Sequence, residues 1–427
     1  MRHGRPPAPL LAVPLVGLLA ATALPAPGTP STAWTGTWAT APTGVPATDS
    51  TAYEDQTLRQ IVHTSVAGRT LRVCFTNEFG TAPLTIGEAR VALRAAGGPA
   101  TAVDPASDRL LRFDGDTSTS LAPGTRRWSD PVALSTTAGG DLVISVHLPV
   151  RTPADTVHPS AFRHNYVAAG NVTGKPDITP TATFTSWHFL SGVAVDRRPG
   201  TAGAALVAFG DSITDGSSTQ IDADHRWPDL LAERLRADGR WADTGVLNAG
   251  IGGNRLLRGP NPPTGSEAEA YATCFGESGL KRFDRDVVSR PGVRAAVVLL
   301  GVNDLGHPGT TAPADEEVSA AELIAGHEQL IRRGHDRGLR MLGATILPFG
   351  SDTLGFRTPE REAARRAVNE WIRTSGAYDG VVDFDAALRD PACPERLLSA
   401  YDSGDGLHPN DAGMAAMAAA FPLELLR

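Results

Sequence analysis

Residues 204–216 read AALVAFGDSITDG: six small or apolar residues, then a break at Gly210-Asp211-Ser212. A short, continuous apolar run ending in a Gly/Asp turn fits a strand buried on both faces of a parallel sheet. The pattern recurs downstream in TGVLNAGI (244–251), AAVVLLGVND (295–304), RMLGATILPF (340–349) and GVVDFDA (380–386). Between these runs lie segments of helical period, among them WPDLLAERLRA (227–237), the long stretch 316–338 and PEREAARRAVNEWIRTSG (359–376). Strands alternating with amphipathic helices predict crossover units on a parallel sheet covered on both faces. Residues 201–427 are therefore expected to form a three-layer α/β domain.

The preceding residues have another period. In TLRVCFTN (70–77), Leu71, Val73 and Phe75 alternate with Arg72, Cys74 and Thr76, and DLVISVHL (141–148) alternates likewise. Short alternating strands separated by Gly-containing turns predict an antiparallel β-sandwich, jelly-roll-like, over 33–195. VDRRPGTAGAA (195–205) reads as the connection between the halves.

Arg2, Arg5, an apolar stretch from residue 9 to 26 and the small residues Ala21-Thr22-Ala23 form the pattern of a cleaved signal peptide, assigned to residues 1–26. Prolines interrupt that stretch, which is short for a membrane span, so export to the extracellular space with no stable span is the expectation. The formal charge of −8 has no basic block behind it, which excludes the usual footprint of a nucleic-acid partner. Export permits disulfides. Of Cys74, Cys274 and Cys393, the last two lie in loop-like surroundings and are the candidate bridge, while Cys74 sits within a strand pattern.

In an open parallel sheet the functional crevice lies beyond the carboxyl ends of the strands. Polar residues cluster at those points: Gly210-Asp211-Ser212, NAGIGGN (248–254), GVND (301–304) and SGDGLHPND (403–411) before the last helix. A serine in such a turn ordinarily bonds nearby backbone. It becomes a nucleophile when a base takes its proton, and His408 supplies the base. Asp405, three residues earlier, is placed to hold the other ring nitrogen, and Pro409 suggests a helix starting directly after the histidine. The Ser212 and Gly253 amides and the Asn303 side chain are the candidate oxyanion donors. Asp211, Asp215, Arg255 and Asp304 flank the set. Asp211, Arg255 and Asp304 are candidates for substrate contact, although an ion pair with a nearby acid is the better account of Arg255.

FGDSITDG, NAGIGGN, GVND and DGLHPND resemble the four blocks of the GDSL, or SGNH, hydrolase superfamily, in their usual order. Ser212, Gly253, Asn303 and His408 fall on the residues that define those blocks, with Asp405 on the aspartate three before the histidine. Ile213 stands where the family name has leucine. The resemblance implies a flavodoxin-like hydrolase domain with esterase or acylhydrolase activity and no metal or organic cofactor. The β-rich front half, with NEFG at 77–80, makes the whole chain resemble secreted bacterial two-domain GDSL-like enzymes. A nucleophile elbow of the G-x-S-x-G kind is missing, since Thr214 stands two after Ser212. No P-loop or H-E-x-x-H motif is present. His327 and His335 are read as solvent-facing.

The expected substrate is a short-acyl or acetyl ester, small or carried on polysaccharide. The alternatives are a lipase or phospholipase and a carbohydrate-binding protein with a vestigial hydrolase half. For the last, Trp34, Trp38, Trp187 and Tyr166 are the residues available to stack on sugars, although core packing is the commoner use. His63, Asn77 and His188 are polar residues of the sandwich with some reach toward the site. The Gly/Pro-rich loop 254–278 is long enough to cover the crevice or shape the pocket.

Overall fold

A computed structural model describes Met1, Gly4, residues 34–196 and residues 204–427. The signal-peptide assignment and most of the expected connection lie outside the described residues. No described helix is long and apolar enough to cross a membrane.

The front half is built of antiparallel sheets, two of which form the sandwich. One orders Trp34–Ala39, Leu190–Asp196, Gly68–Thr76 and Val132–Thr136, with Arg126–Trp128 also paired to Gly68–Thr76. The other runs Ala182–Phe184, Asn165–Ala169, Gln56–His63, Asp141–Leu148, Glu88–Leu93 and Arg109–Leu110. The alternation in 70–77 is the cause of the layering: Leu71, Val73 and Phe75 face the core shared with Leu58, Ile144 and Val146. On the opposite face the Arg72 guanidinium lies between Trp34 and Trp128, 4.7 and 4.4 Å from their ring centroids. Trp38, Trp187 and Tyr166 are buried, so these rings pack rather than offer a sugar-stacking surface.

The second half is a five-stranded parallel sheet ordered Thr244–Gly250, Ala204–Gly210, Val293–Leu299, Arg340–Ala344 and Gly380–Val382. Eight α-helices accompany it: α1 (Ser212–Asp215), α2 (Trp227–Asp238), α3 (Gly279–Phe283), α4 (Val302–Gly306), α5 (Ala320–His335), α6 (Pro359–Thr374), α7 (Phe384–Leu388) and α8 (Asp411–Ala420). Helix α8 contacts α2 and α7, and α5 contacts α3 and α6, giving a layer on each side. The second strand in the chain lies on one side of the first and the third on the other. That reversal opens a crevice past Gly210 and Leu299.

Three expectations need correction. Cys274 and Cys393 are both free. Cys274 is held in the 3₁₀ turn Ala272–Phe275, whereas Cys393 opens a strand paired with Arg389–Asp390, so separate local structure holds each thiol. His327 is buried, not solvent-facing, with Nδ1 2.7 Å from the Tyr378 hydroxyl. It lies four residues after Leu323 and three before Leu330, on the buried stripe of α5, and burial pushes its pKa down to about 4. His335, as expected, is exposed, on Asp379. Finally, α8 starts at Asp411 rather than at Pro409: the Asn410 side chain caps it by accepting from the Gly413 amide at 3.0 Å.

Residues 33–427 form one compact unit. The Gly36 amide donates to Pro291 O at 2.8 Å, and the Val246 amide to Ser65 Oγ at 3.0 Å. Arg290, buried beside Asp286, donates to Ser191 O at 2.7 Å and Thr40 O at 2.8 Å. The sandwich thus packs against the second-strand side of the parallel sheet through main-chain groups that neither half satisfies alone.

Candidate active site

Ser212 is the first residue of α1, immediately past the first strand, and the Asp211 side chain caps that turn by accepting from the Ile213 amide at 3.0 Å. The turn is tight because position 210 is glycine. A Cβ there would lie 2.2 Å from Thr214 Oγ1 and 2.9 Å from Leu299 O. His408 reaches the serine from the loop before α8, with Nε2 2.8 Å from Ser212 Oγ. Its Nδ1 lies 2.6 Å from Asp405 Oδ2, while Asp405 Oδ1 accepts from the Leu407 and His408 amides at 2.9 and 2.8 Å. Donation from Nδ1 to the carboxylate leaves the Nε2 lone pair to accept the serine proton. Partial burial raises the Asp405 pKa, but the hydrogen bonds from His408 outweigh it and hold the carboxyl well below the usual range.

Opposite the histidine lie the oxyanion candidates. Gly253 has φ 72°, and a Cβ there would lie 2.1 Å from the Phe275 ring, so the position demands glycine twice over. Asn303 uses one amide hydrogen on Asn254 O at 3.0 Å and keeps the other. Among the described residues, the Ser212 and Gly253 amides have no acceptor.

These groups line a cavity of about 520 Å³ with Tyr271, Phe275, His307, Leu354, Phe356 and Leu407 on its walls. The loop 254–278 therefore shapes the pocket by supplying two aromatic rings. His307 was not singled out in the sequence, although it stands four after Asn303, one helical turn along. Its ring lies between Phe275 and Phe356, at centroid distances of 5.0 and 5.7 Å. Burial, reinforced by the Arg255 charge, pushes its pKa down to about 3, so the pocket faces a neutral imidazole.

Asp211, Arg255 and Asp304 do not line this cavity. Asp304 accepts from the Leu256 and Leu257 amides at 2.7 and 2.9 Å, and burial raises its pKa to about 6. Arg255 pairs with Glu316 at 2.5 Å and also donates to Gly259 O. Burial raises Asp211 to about 7 against the hydrogen bond from the Ile213 amide. All three shape the loops that carry the site.

Arg282 was missed altogether. Fully buried over the Phe209 ring, it donates to Gly210 O at 2.7 Å, Ala249 O at 2.8 Å and Asn254 Oδ1 at 3.0 Å, tying two strand ends to the Gly253 loop. In the sequence it is one arginine in a charged helical stretch, and nothing local marks it.

The sandwich residues His63, Asn77 and His188 lie away from the cavity. Asn77 donates to Ala82 O and Leu121 O, and buried His188 has its pKa lowered to about 4 by desolvation. His63, Asp141 and Asp224 lie close enough to share a cation. Arg163 already bridges both carboxylates and Arg94 adds a contact to Asp141 at 3.0 Å, so guanidinium groups fill that role.

Residues 208–416 match the model of the GDSL-like lipase/acylhydrolase family. Among solved structures the chain is similar to a GDSL-like lipase from Bacteroides thetaiotaomicron (15% identity, TM-score 0.38, covering 54% of this chain and 91% of that one). It is also similar to a carbohydrate acetylesterase from Sinorhizobium meliloti (13%, 0.37, 51% and 95%) and an aryl esterase from M. smegmatis (16%, 0.36, 51% and 95%). No curated protein matches it.

Proposed function

We propose that the protein is a carboxylic ester hydrolase, as the match of residues 208–416 to the GDSL-like lipase/acylhydrolase family supports, that Ser212 is its nucleophile and that it releases short acyl groups outside the cell. The carrying observation is the unbroken line from Asp405 Oδ2 through His408 to Ser212 Oγ, with contacts of 2.6 and 2.8 Å.

His408 takes the Ser212 proton as the hydroxyl oxygen attacks the ester carbonyl carbon, and Asp405 stabilises the imidazolium that forms. Charge developing on the carbonyl oxygen meets the Ser212 and Gly253 amides and the free Asn303 amide hydrogen. As the tetrahedral intermediate collapses, His408 returns the proton to the leaving alcohol and an acyl-serine remains. Water, deprotonated by the same histidine, attacks the acyl carbon, and the acid leaves as Ser212 regains its proton.

A compact pocket with three aromatic carbocycles and a neutral imidazole suits a small ester that has a ring or short alkyl group beside the scissile bond. Polysaccharide-borne acetyl groups are the substrate class proposed from the sequence and the export signal. A lipase reading has one observation of its own: Tyr271 and Leu354, both at the cavity, are among the few exposed large apolar side chains. Hydrolysis of p-nitrophenyl esters from acetyl to palmitoyl, by the protein and by Ser212→Ala, decides between them. The short-acyl reading expects rates to fall steeply with chain length, with a loss of about 10⁴ or more in the variant. A long-chain preference would select the lipase, and an unimpaired Ser212→Ala would overturn the nucleophile.

A further inference from the structure

The Gly253 amide can act only if its loop is held, and one anchor of that loop comes from the other half of the molecule. Asp215, three residues after Ser212 and the last of α1, accepts from the Gly252 amide through Oδ2 at 3.0 Å. Its Oδ1 faces Nε2 of His158 at 2.9 Å. His158 belongs to the sandwich: it lies on the short strand Val157–His158, paired with Trp187–His188, and Nδ1 donates to Ala41 O at 2.8 Å. Both side chains are sealed from solvent, at 2% and 1% exposure. Each ring nitrogen of His158 thus faces an oxygen acceptor, the Ala41 carbonyl on one side and the Asp215 carboxylate on the other.

We propose that His158 is a positioning residue for ester hydrolysis, setting the Gly253 oxyanion donor through Asp215 and Gly252. The inference rests on the reading of the Gly253 amide as an oxyanion donor. Gly253 hangs between two anchors. On one side Gly252 is held by Asp215. On the other, Asn254 is held by Arg282 and by its own donation to Phe275 O and Glu277 O at 2.7 and 2.8 Å. The first anchor is complete only while His158 fixes the carboxylate orientation. Without that contact Asp215 keeps its place on α1 but is free to rotate about its side-chain bonds, and the Gly252 amide follows it. His158 does not line the cavity, so its loss leaves the ground-state pocket walls in place. The cost then falls on the step in which the oxyanion forms, because a donor misplaced by a fraction of an ångström is felt mainly there. This also assigns the sandwich a part in the chemistry: it completes a frame that the parallel-sheet half leaves unfinished.

The test uses the full chain with His158→Ala, His158→Gln, Asp215→Asn and the His158→Gln/Asp215→Asn double variant. Folding is followed by near-ultraviolet circular dichroism. Kinetics use p-nitrophenyl butyrate, and n-butylboronic acid serves as the probe of the tetrahedral state, its boron accepting the Ser212 oxygen. The expected result for His158→Ala is a fall in kcat of about 10- to 100-fold with KM within about twofold, and a matching loss of boronate affinity. His158→Gln, which keeps an N–H toward Asp215, should recover part of the rate, and its effect should shrink in the Asp215→Asn background. A folded His158→Ala with wild-type kcat, or a loss confined to KM, overturns the proposal. If the alanine variant does not fold, the glutamine cycle decides, and additive effects there overturn it equally. Activity surviving in Ser212→Ala would instead remove the nucleophile reading beneath, whatever the His158 variants do.

Discussion

Arg59 in the sandwich and Arg282 in the hydrolase half are both fully buried, and both have guanidinium pKa values pressed down to about 10, chiefly by desolvation. Arg59 donates to Ser145 Oγ at 3.0 Å, Thr101 O at 2.8 Å and Lys175 O at 2.7 Å, closing loops onto one face of its sheet. Arg282 closes strand ends onto the Gly253 loop. By burial and bonding they are alike. What separates the regions is what remains unused around them. Near Arg59, Asn165 donates to Ser186 O and accepts from Ile61, and Gln60 both donates to and accepts from the His188 main chain. Near Arg282, two amides and one Asn303 hydrogen stay open toward a cavity. Buried charge marks architecture in both halves, and what marks the site is that three unused donors converge on one cavity.

The sharpest test of that distinction is Asn303→Ala, which removes one unused donor. It should lower kcat by about 10²–10³ with KM little changed, as read by steady-state kinetics, while the one Asn254 carbonyl it strands costs only about 1 kcal/mol in urea titration. A loss of stability equal to the loss of rate would place Asn303 with the architecture instead.

Next come Arg59→Leu and Arg282→Leu. Each strands several buried carbonyls and should cost about 3 kcal/mol or more in urea unfolding. Only the second should also lower kcat in the protein that remains folded, because it alone bears on the Gly253 loop. Equal effects on rate would erase the contrast between the two arginines.

The smallest expected effect concerns Asp211. A carboxyl raised to about 7 by burial keeps its proton in the folded chain below about neutral pH. Its contribution to stability is therefore full below the unfolded value near pH 4 and is lost as pH rises through about 7. Asp405 runs the other way: its folded carboxyl is held low, so its contribution is present above about pH 4 and fails in acid. Asp211→Asn, still able to accept from the Ile213 amide, should flatten the first dependence. The Tm difference between pH 5 and pH 8 should shrink by about 2 °C or more. An unchanged difference would mean that Asp211 is already ionised in the folded protein.

Much of this molecule is readable along the chain, and the reasons differ by residue. Ser212, Gly253, Asn303 and His408 are legible because each sits in a short polar break after an apolar run or before a helix, where the topology places a crevice. Asp405 is legible because the two partners are three residues apart. His307 was within reach through its spacing from Asn303, and His327 through its place between Leu323 and Leu330. His327 was read as solvent-facing because its stretch is charged, and His307 was not singled out. Arg282 and His158 leave no local mark, since their partners are main-chain carbonyls and a carboxylate far away in sequence. The Cys274–Cys393 expectation failed for the same reason: spacing along a chain says nothing about how two loops are held.

The sequence by itself determined the two periods, hence a β-sandwich before a parallel α/β sheet, and the order of polar breaks that bear the chemistry. Periodicity is a local consequence of which side chains must leave water, so it is written wherever strands and helices form. Only the tertiary structure decided which polar groups spend their hydrogen bonds on the frame and which stay open to the cavity. It also decided that the sandwich reaches the Gly253 loop through His158 and Asp215. Those outcomes depend on directional contacts between segments far apart in the chain, and nothing in either segment alone encodes them.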